Sequence, residues 1–242
     1  MGERCILGAV EKDLVRDIIQ WDVANWKHLL KIGAPVLQKF ESGEAASFGE
    51  REGGLSLWLA LNGFRAECSD YNLPKEIPFP LHVKREVVDL IHYSQQDITA
   101  ISFEENRFDV VMFKSVIGAL GDKQKQETAI AELYRVLKPG GYLIFAENTE
   151  ASVFHRYARK KFTHWGHRWR YLPKAELPQM LNEFQFIELK HFGFFATFGR
   201  SEKQRTFLTF FDRIFVPIMP KKWRYFVVAV CRKPDEQPTS KA

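Results

Sequence analysis

Three glycine-rich or acidic segments each follow a candidate strand in the first hundred residues. The turn 49–54 (GEREGG) follows the first strand, Asp70 follows the strand 65–68, and Asp97 follows the strand 90–95. Glycine lets a backbone approach a ligand closely. A carboxylate at the end of the second strand accepts hydrogen bonds from ribose hydroxyls, and polar groups after the third can bind an adenine edge. Because carboxyl ends of parallel strands meet at one edge of a sheet, this ordered series predicts a nucleoside-binding site.

Each member of the series has a simpler explanation when taken alone. Glycines between a strand and a helix are common, and Asp70 or Asp97 could cap a helix or lie in a solvated loop. The order of the three segments is therefore more informative than any one of them.

The stretch 108–148 has the pattern of a strand, a helix and a second strand. The segments 110–113 and 142–146 are continuously apolar, which is typical of strands buried on both faces of a parallel sheet. Between them lie apolar residues at helical spacing, namely Ile130, Leu133, Tyr134 and Leu137. The segment 138–141 (KPGG) is expected to end that helix and turn the chain into the next strand. Strands that alternate with helices in this way predict an α/β, doubly wound sheet.

The sequence of these segments resembles that of the class I S-adenosylmethionine-dependent methyltransferase family, and in particular its bacterial, type 11-like members. The resemblance covers roughly residues 17 to 148 and rests on three segments: IIQWDVANW, GEREGGLSLWLALNGFRAECSD, and FDVV followed by LYRVLKPGGYLIF. It implies a Rossmann-like, seven-stranded mixed sheet with an antiparallel last strand, a helical N-terminal lead-in, and S-adenosylmethionine as cofactor.

The resemblance also implies which residues bind the cofactor. These are Trp26, Gly49, Glu50, Arg51, Gly53, Asp70, Asp97, Ile98 and Lys114. Two of these assignments have alternatives. Of Trp21 and Trp26, one is expected in the core and the other over the cofactor. Lys114 could contact the substrate rather than the cofactor.

One position departs from the family pattern. The family carries an acidic residue two places before the first glycine, where this chain has Ser47. Either Glu50 or Glu52 supplies the carboxylate, or cofactor affinity is reduced. The second case keeps open a catalytically degenerate, cofactor-binding protein.

A basic, aromatic segment is the candidate acceptor side. Residues 151–175 contain no Asp or Glu but seven Lys or Arg and three His. Methyl transfer to a hydroxyl needs a base, and histidine titrates near neutrality. His164 and His167 are the predicted catalytic residues, whereas His155 is expected to be solvated. No carboxylate or thiol lies near these histidines, so no metal site is predicted.

Four further residues are predicted to bind the substrate: Ser115, Asn148, Arg168 and Trp169. Arginine and lysine bind phosphate or carboxylate, while aromatic faces pack on sugars or lipid interfaces. These preferences predict O-methylation of a small anionic or saccharide-type acceptor. The resemblance to the family further implies that the acceptor is a surface polysaccharide precursor.

A second aromatic and basic segment, 193–222, leaves alternatives for the acceptor. It could form an interfacial helix with basic flanks, which would suit a lipid or quinone acceptor and peripheral contact with a membrane. Its aromatic side chains could equally complete the core or a dimer face. No RNA-binding module is visible and the net charge is small, so no nucleic-acid partner is expected.

The totals are those of an ordinary globular protein. The 242 residues carry a net charge of +5 and are 45% hydrophobic, and the three cysteines form no disulfide framework. No signal-peptide layout is present, so the expected location is cytoplasmic, with membrane association as the alternative. One domain is expected over 1–233, with a lead-in (1–40), a cofactor-binding core (41–150) and an acceptor cap (151–222). Residues 234–242 are predicted to be a disordered tail.

Overall fold

The structure is a computed structural model that describes residues 12–72, 77, 79–162 and 169–235. Its strands are β1 (Gly43–Phe48), β2 (Phe64–Asp70), β3 (Ile91–Gln95), β4 (Phe108–Lys114), β5 (Leu137–Asn148), β6 (Phe186–Phe192) and β7 (Phe226–Arg232). Its α-helices are α1 (Lys12–Ile19), α2 (Val23–Trp26), α3 (His28–Leu37), α4 (Gly54–Leu61), α5 (Pro80–Lys84), α6 (Lys123–Val136), α7 (Val153–Phe162), α8 (Leu177–Met180) and α9 (Glu202–Phe215). Among these residues, no helix is long and apolar enough to cross a membrane.

The strands form one seven-stranded sheet in the order β3-β2-β1-β4-β5-β7-β6. Strand β1 pairs in parallel with β2 on one side and β4 on the other, whereas β7 runs antiparallel between β5 and β6. The predicted mixed sheet with an antiparallel last strand is confirmed. The chain order reverses between β1 and β4, so this is the switch point at which α/β sheets bind ligands.

Side chains from both faces of the central strands are buried, as the apolar segments predicted. On one face Phe113 of β4 stacks on Phe145 of β5, with ring centroids 4.7 Å apart. On the other face Met112 and Ile144 lie in the core beneath the lead-in helices. Burial on both faces removes the polar alternation of a half-exposed strand.

Two predicted element boundaries were wrong. Strand β5 begins at Leu137, which pairs with Phe108, and the KPGG segment belongs to the strand through a register shift in which Gly140 takes a φ of 75°. The sequence also predicts a helix over residues 174–182, where the structure has only the four-residue α8. Pro178 stands at its start, because proline is tolerated only in the first helical turn.

The lead-in helices pack on the sheet through aromatic rings. The ring of Trp26 is fully buried and stacks on Phe226 of β7, with centroids 5.0 Å apart and planes 9° apart. Trp21 packs against the other side of Trp26 at 4.6 Å. The beginning and the end of the described chain therefore share one aromatic stack.

A buried polar network fixes the lead-in to α9. Asn25 Nδ2 donates to Asp212 Oδ2 and to the Tyr225 hydroxyl, both at 3.3 Å. The Tyr225 hydroxyl in turn donates to Asp22, and the Asp22 amide donates to Glu202 Oε1 at 2.8 Å. Burial raises the pKa of Asp22 to about 7.

Candidate active site

The glycine turn after β1 adopts the backbone conformations that its sequence requires. Gly49 has a φ of 71°, and a Cβ built there would stand 2.3 Å from Val116 Cγ2. Gly53 has a φ of 79°, and a Cβ there would stand 2.4 Å from Nε2 of the buried His82. Glycine is needed at both positions for conformation and for space, because the turn packs closely against Val116 and His82.

Glu50 is the buried acid of this turn, whereas Arg51 and Glu52 are exposed. Its carboxylate accepts hydrogen bonds from the amides of Ser56 (2.8 Å) and Leu55 (3.4 Å), at the beginning of α4. The Ser47 hydroxyl, which donates to the Glu67 carbonyl at 3.4 Å, lies beside this carboxylate. Burial raises the pKa of Glu50 to about 7. A carboxylate from three residues later thus reaches the side chain that replaces the family's acid.

Lys114, at the end of β4, is held under the lead-in. Its Nζ donates to the carbonyl oxygen of Ile19 and lies 5.8 Å from the ring of Trp21. Burial lowers the pKa of Lys114 to about 8, and the charge of Glu50 opposes this shift. The Ile18 carbonyl lies against Gly54, where a built Cβ would stand only 2.1 Å from it. The end of α1 therefore covers the glycine turn, with Lys114 as the polar contact between them.

The structure favours the core alternative for Trp26. Its ring has no exposed surface in this conformation, so it presents nothing to an open cleft. Trp21 is half-buried and lies within 6 Å of both Lys114 and Arg205. Of the two tryptophans, Trp21 is the one with exposed surface.

The predicted ribose and adenine residues lie at neighbouring strand ends. Asp70 is half-buried and accepts a hydrogen bond from the Asn72 amide at 2.9 Å. The Asp70 carbonyl accepts from the Gln96 amide at 3.0 Å, which ties the ends of β2 and β3 together. Asp97 is exposed, and its hydrogen bonds with Thr99 lower its pKa. Ile98 beside it is buried.

Ser115 and Asn148 meet at the ends of β4 and β5. Asn148 Nδ2 donates to Ser115 Oγ at 2.9 Å, and both side chains are half-buried. Ser115 has a φ of 57°, and its amide donates to the Ala146 carbonyl at 2.8 Å. Two of the four residues that the sequence predicts to bind the substrate are therefore one hydrogen-bonded pair.

Glu147 organises the loop that follows β4. Its carboxylate accepts from the amides of Val116 (2.8 Å), Asn148 (2.7 Å) and Gly118 (3.3 Å). It is fully buried, and burial raises its pKa to about 7. A carboxylate so enclosed positions the loop rather than meeting an acceptor directly.

The basic segment is only partly described. His164, His167 and Arg168 lie outside the described residues. Trp169 packs on Gly118, where a built Cβ would stand 1.9 Å from its Nε1. The expectation for His155 was wrong: it is fully buried and bonds to Ser152 Oγ (2.7 Å) and to the Phe194 carbonyl. Burial accordingly lowers the pKa of His155 to about 4.

A pocket of about 250 Å³ opens beside the end of β5, and its main cation was not predicted. Arg159 of α7 lines it and is only 8% exposed. Its guanidinium lies 3.7 Å from the ring centre of Tyr171 and donates to the Thr149 carbonyl at 2.9 Å. One signal was available: His155 and Arg159 are four residues apart, so they share the buried face of α7.

A larger pocket, of about 410 Å³, lies at the opposite edge, between Tyr134, Pro139 and Pro234. This edge holds the amino ends of the parallel strands, and α/β sheets bind their ligands at the other edge. The smaller pocket is therefore the one next to the predicted site.

Comparisons with known proteins agree with the fold. Residues 48–145 match a family model described as a methyltransferase domain. A demethylmenaquinone methyltransferase of Bacteroides fragilis is 37% identical over 73 residues, which are 30% of this chain and 29% of that protein. Nodulation protein S of Rhizobium tropici is 27% identical over 116 residues, 46% of this chain and 40% of that protein. The matches thus span well under half of the length of these relatives.

A solved structure extends the likeness to most of the chain. It is the 1,6-didemethyltoxoflavin-N1-methyltransferase of Burkholderia thailandensis with bound 1,6-didemethyltoxoflavin and S-adenosylhomocysteine. The TM-score is 0.59 at 15% identity, over 91% of this chain and 82% of that chain. At this identity the likeness shows the fold. The chain therefore has the class I methyltransferase fold, and its residues 48–145 match the model of a methyltransferase domain.

Proposed function

We propose that this chain transfers a methyl group from S-adenosylmethionine to an oxygen of a small anionic or saccharide-type acceptor. One observation carries the proposal. Gly49, Asp70 and Asp97 follow β1, β2 and β3 at one sheet edge, beside the Ser115–Asn148 pair at the ends of β4 and β5. The first three residues would form a nucleoside site and the pair a polar acceptor site, so the two sites would be neighbours in a methyltransferase domain.

The residues at this edge suit the cofactor. The turn from Gly49 to Gly53 would lie against its amino-acid end, Asp70 would accept from the ribose hydroxyls, and Asp97 with Ile98 would border the adenine. The Glu50 carboxylate lies next to Ser47, which occupies the family's acidic position. This supports the alternative in which Glu50 supplies the carboxylate that Ser47 lacks. S-adenosylmethionine, when bound, supplies an electrophilic methyl group on a sulfonium.

The chain's own contribution would be alignment and removal of one proton. An in-line displacement needs the acceptor oxygen held against the methyl group, and the Ser115–Asn148 pair is placed to orient that acceptor. For the base we retain His164 or His167, and for further acceptor contacts Arg168 and Trp169. In this layout 1–40 is the lead-in, 41–150 binds the cofactor and 151–222 forms the acceptor cap, within one domain over 1–233.

Calorimetric titration with S-adenosylhomocysteine tests the proposal. The wild-type protein should bind it, and Asp70→Ala should weaken binding by about tenfold or more, since a hydrogen bond to a carboxylate is lost. Asp89→Ala changes an exposed aspartate before β3 and serves as the matched control. Absence of binding to the wild-type protein would refute the proposed activity. Binding without methyl transfer to any acceptor would favour the degenerate, cofactor-binding alternative.

A lipid or quinone acceptor is the second candidate, and one observation favours it. The apolar residues Phe207, Phe210 and Ile214 of α9 are 65%, 58% and 51% exposed. Their spacing puts them on one helical face, and Lys221 and Lys222 follow in an exposed turn. Such a face with basic neighbours suits an anionic membrane surface.

Co-sedimentation with phosphatidylglycerol vesicles separates the two candidates. Peripheral contact predicts salt-sensitive binding that the double variant Phe207→Ser/Phe210→Ser loses. Val83→Ser removes an exposed apolar side chain from α5 and should have no effect. Wild-type protein that stays in the supernatant at low salt would exclude this candidate.

A further inference from the structure

The pocket beside the end of β5 is held open by backbone contacts on two sides. Thr149 forms a parallel bridge with Leu172, and the Glu150 amide donates to the Leu172 carbonyl at 2.9 Å. On the other side the Arg170 amide donates to the Gly118 carbonyl at 2.9 Å. Gly118 belongs to the loop that begins at Ser115, so the pocket adjoins the Ser115–Asn148 pair.

The floor of the pocket carries a buried positive charge. The Arg159 guanidinium lies over the Tyr171 ring, and its Nη1 and Nη2 donate to the carbonyls of Thr149 (2.9 Å) and Tyr225 (3.4 Å). These contacts fix the plane of the guanidinium. Burying a charge costs free energy, and buried charged side chains cluster at functional sites.

A second arginine stands at the mouth of the pocket. Arg156 is three residues before Arg159 on α7, so the two share one side of the helix. Its side chain is exposed and makes no hydrogen bond or ion pair with the described part of the chain. Arg170, which also lines the pocket, forms a bidentate pair with Glu176 at 2.8 Å and is neutralised there. Among the described residues that line the pocket, Arg156 and Arg159 are therefore the cations that face the space.

The remaining walls suit a hydroxylated ring. The rings of Trp169 and Tyr171 lie 6.4 Å apart and give the pocket flat apolar surfaces, on which sugar rings pack. Glu150 lines the pocket and is exposed, so its carboxylate can accept hydrogen bonds from hydroxyl groups. A simple inorganic anion would meet Glu150 as a repulsive charge, whereas a sugar would use it.

We infer that this pocket binds the anionic end of the acceptor, a sugar that carries a carboxylate or a phosphate group. Arg156 and Arg159 hold the anion, Trp169 and Tyr171 pack on the ring, and Glu150 accepts from its hydroxyls. This inference rests on the proposed function and names the substrate class of the same site. The reacting hydroxyl then points from the pocket towards the Ser115–Asn148 pair.

Titration calorimetry of the full chain tests the inference, with D-glucuronate as the carboxylate probe and D-glucose 1-phosphate as the phosphate probe. Methyl D-glucoside is the neutral comparator. At least one anionic probe should bind more tightly than the neutral sugar. Arg156→Gln should weaken that binding about tenfold, because a charge-assisted hydrogen bond is removed. Arg156→Lys should restore part of it, and Arg213→Gln, an exposed arginine of α9, should leave it unchanged.

Two results would overturn the inference: neither anionic probe binds better than methyl D-glucoside, or Arg156→Gln binds them like the wild-type protein. Arg156 is exposed, so its replacement should not disturb folding, and a thermal unfolding curve checks this. Separate titration with S-adenosylhomocysteine keeps the two proposals apart. Cofactor binding without sugar binding refutes only the anion pocket, whereas absence of cofactor binding refutes the proposed function.

Discussion

Asn148 Nδ2 donates a hydrogen bond of 2.9 Å to Ser115 Oγ, and this contact between residues 33 positions apart joins the carboxyl ends of β4 and β5. Ser115 must leave β4 with a φ of 57° to make it. Such a conformation is rare for serine and persists only when surrounding contacts enforce it. Two hydrogen bonds enforce it here. The Ser115 amide donates to the Ala146 carbonyl, and the amide of the next residue, Val116, donates to the Glu147 carboxylate.

This pairing predicts a measurable coupling between the two side chains. Ser115→Ala and Asn148→Ala should each destabilise the protein. In the double variant the loss should be smaller than the sum, by about 0.5–1.5 kcal/mol. Urea unfolding of the four proteins measures the difference. Strictly additive losses would mean that the hydrogen bond contributes nothing to folding.

Glu50 should matter to stability in a way that Glu52 does not. Glu50→Gln replaces one of two oxygens that accept from the beginning of α4, and we expect a cost of about 1–2 kcal/mol. The effect should be measured by urea unfolding at pH 5, where the pKa of about 7 keeps Glu50 uncharged in the folded protein. At pH 8 the glutamine would also remove a buried charge, and this gain would offset the loss.

The matched control is Glu52→Gln, two residues later in the same turn and exposed. It should change the free energy of unfolding by less than about 0.5 kcal/mol. Equal losses in the two variants would contradict the capping role of Glu50.

Gly53 should tolerate alanine less well than Gly63. Both glycines have positive φ, 79° and 89°, so alanine costs about 1–2 kcal/mol of backbone strain at either site. At Gly53 the new methyl group would also lie 2.4 Å from His82 Nε2, whereas at Gly63 the nearest atom is 3.1 Å away. Gly53→Ala should therefore lose at least about 1 kcal/mol more than Gly63→Ala in thermal or urea unfolding. A smaller loss at Gly53 would show that His82 moves aside freely.

The buried Asp22 predicts a particular dependence of stability on pH. Its pKa is about 7 in the folded protein, against an ordinary value of 3.8, so the folded state holds a proton that the unfolded chain releases. The contribution to stability is complete below about pH 4 and is lost as the pH rises to about 7. Asp22→Asn keeps an acceptor for Tyr225 and tolerates the left-handed backbone of this position, where φ is 44°.

The free energy of unfolding of Asp22→Asn, minus that of the wild-type protein, should accordingly increase from pH 5 to pH 8, by a value on the order of 3 kcal/mol. Other titrating groups cancel in this difference. Asp13→Asn, an exposed aspartate of α1, is the control, and its difference should stay flat. A flat difference for Asp22→Asn as well would show that Asp22 is ionised in the fold.

The central sheet could be predicted from the sequence because burial on both faces leaves a direct trace. The continuous apolar segments of β4 and β5 and the glycines of the turn 49–54 have one main structural solution each. The antiparallel direction of the last strand came from the family resemblance, since no local pattern distinguishes the direction of a strand.

The contacts that complete the site left no such trace. Glu50 reaches Ser47 only because the turn folds back, and Arg159 is buried only because the segment 169–173 and β7 enclose α7. His155 was expected in solvent because its neighbours are basic, yet α7 turns its His155 and Arg159 inwards and leaves Phe154 73% exposed. Tertiary packing decides which side of an amphipathic helix is buried, and in α7 the buried side is the one that carries His155 and Arg159.

The stack of Trp26 on Phe226 has a consequence for how the chain folds. Asp22 and Asn25 of the lead-in have partners 180 to 203 residues away: Glu202 for Asp22, and Tyr225 for Asp22 and Asn25. During synthesis the first helices therefore leave the ribosome long before the residues that bury them exist. Such long-range closure slows folding and leaves apolar surface uncovered meanwhile. The lead-in should thus be the last segment to dock, and β7 the strand whose arrival permits it.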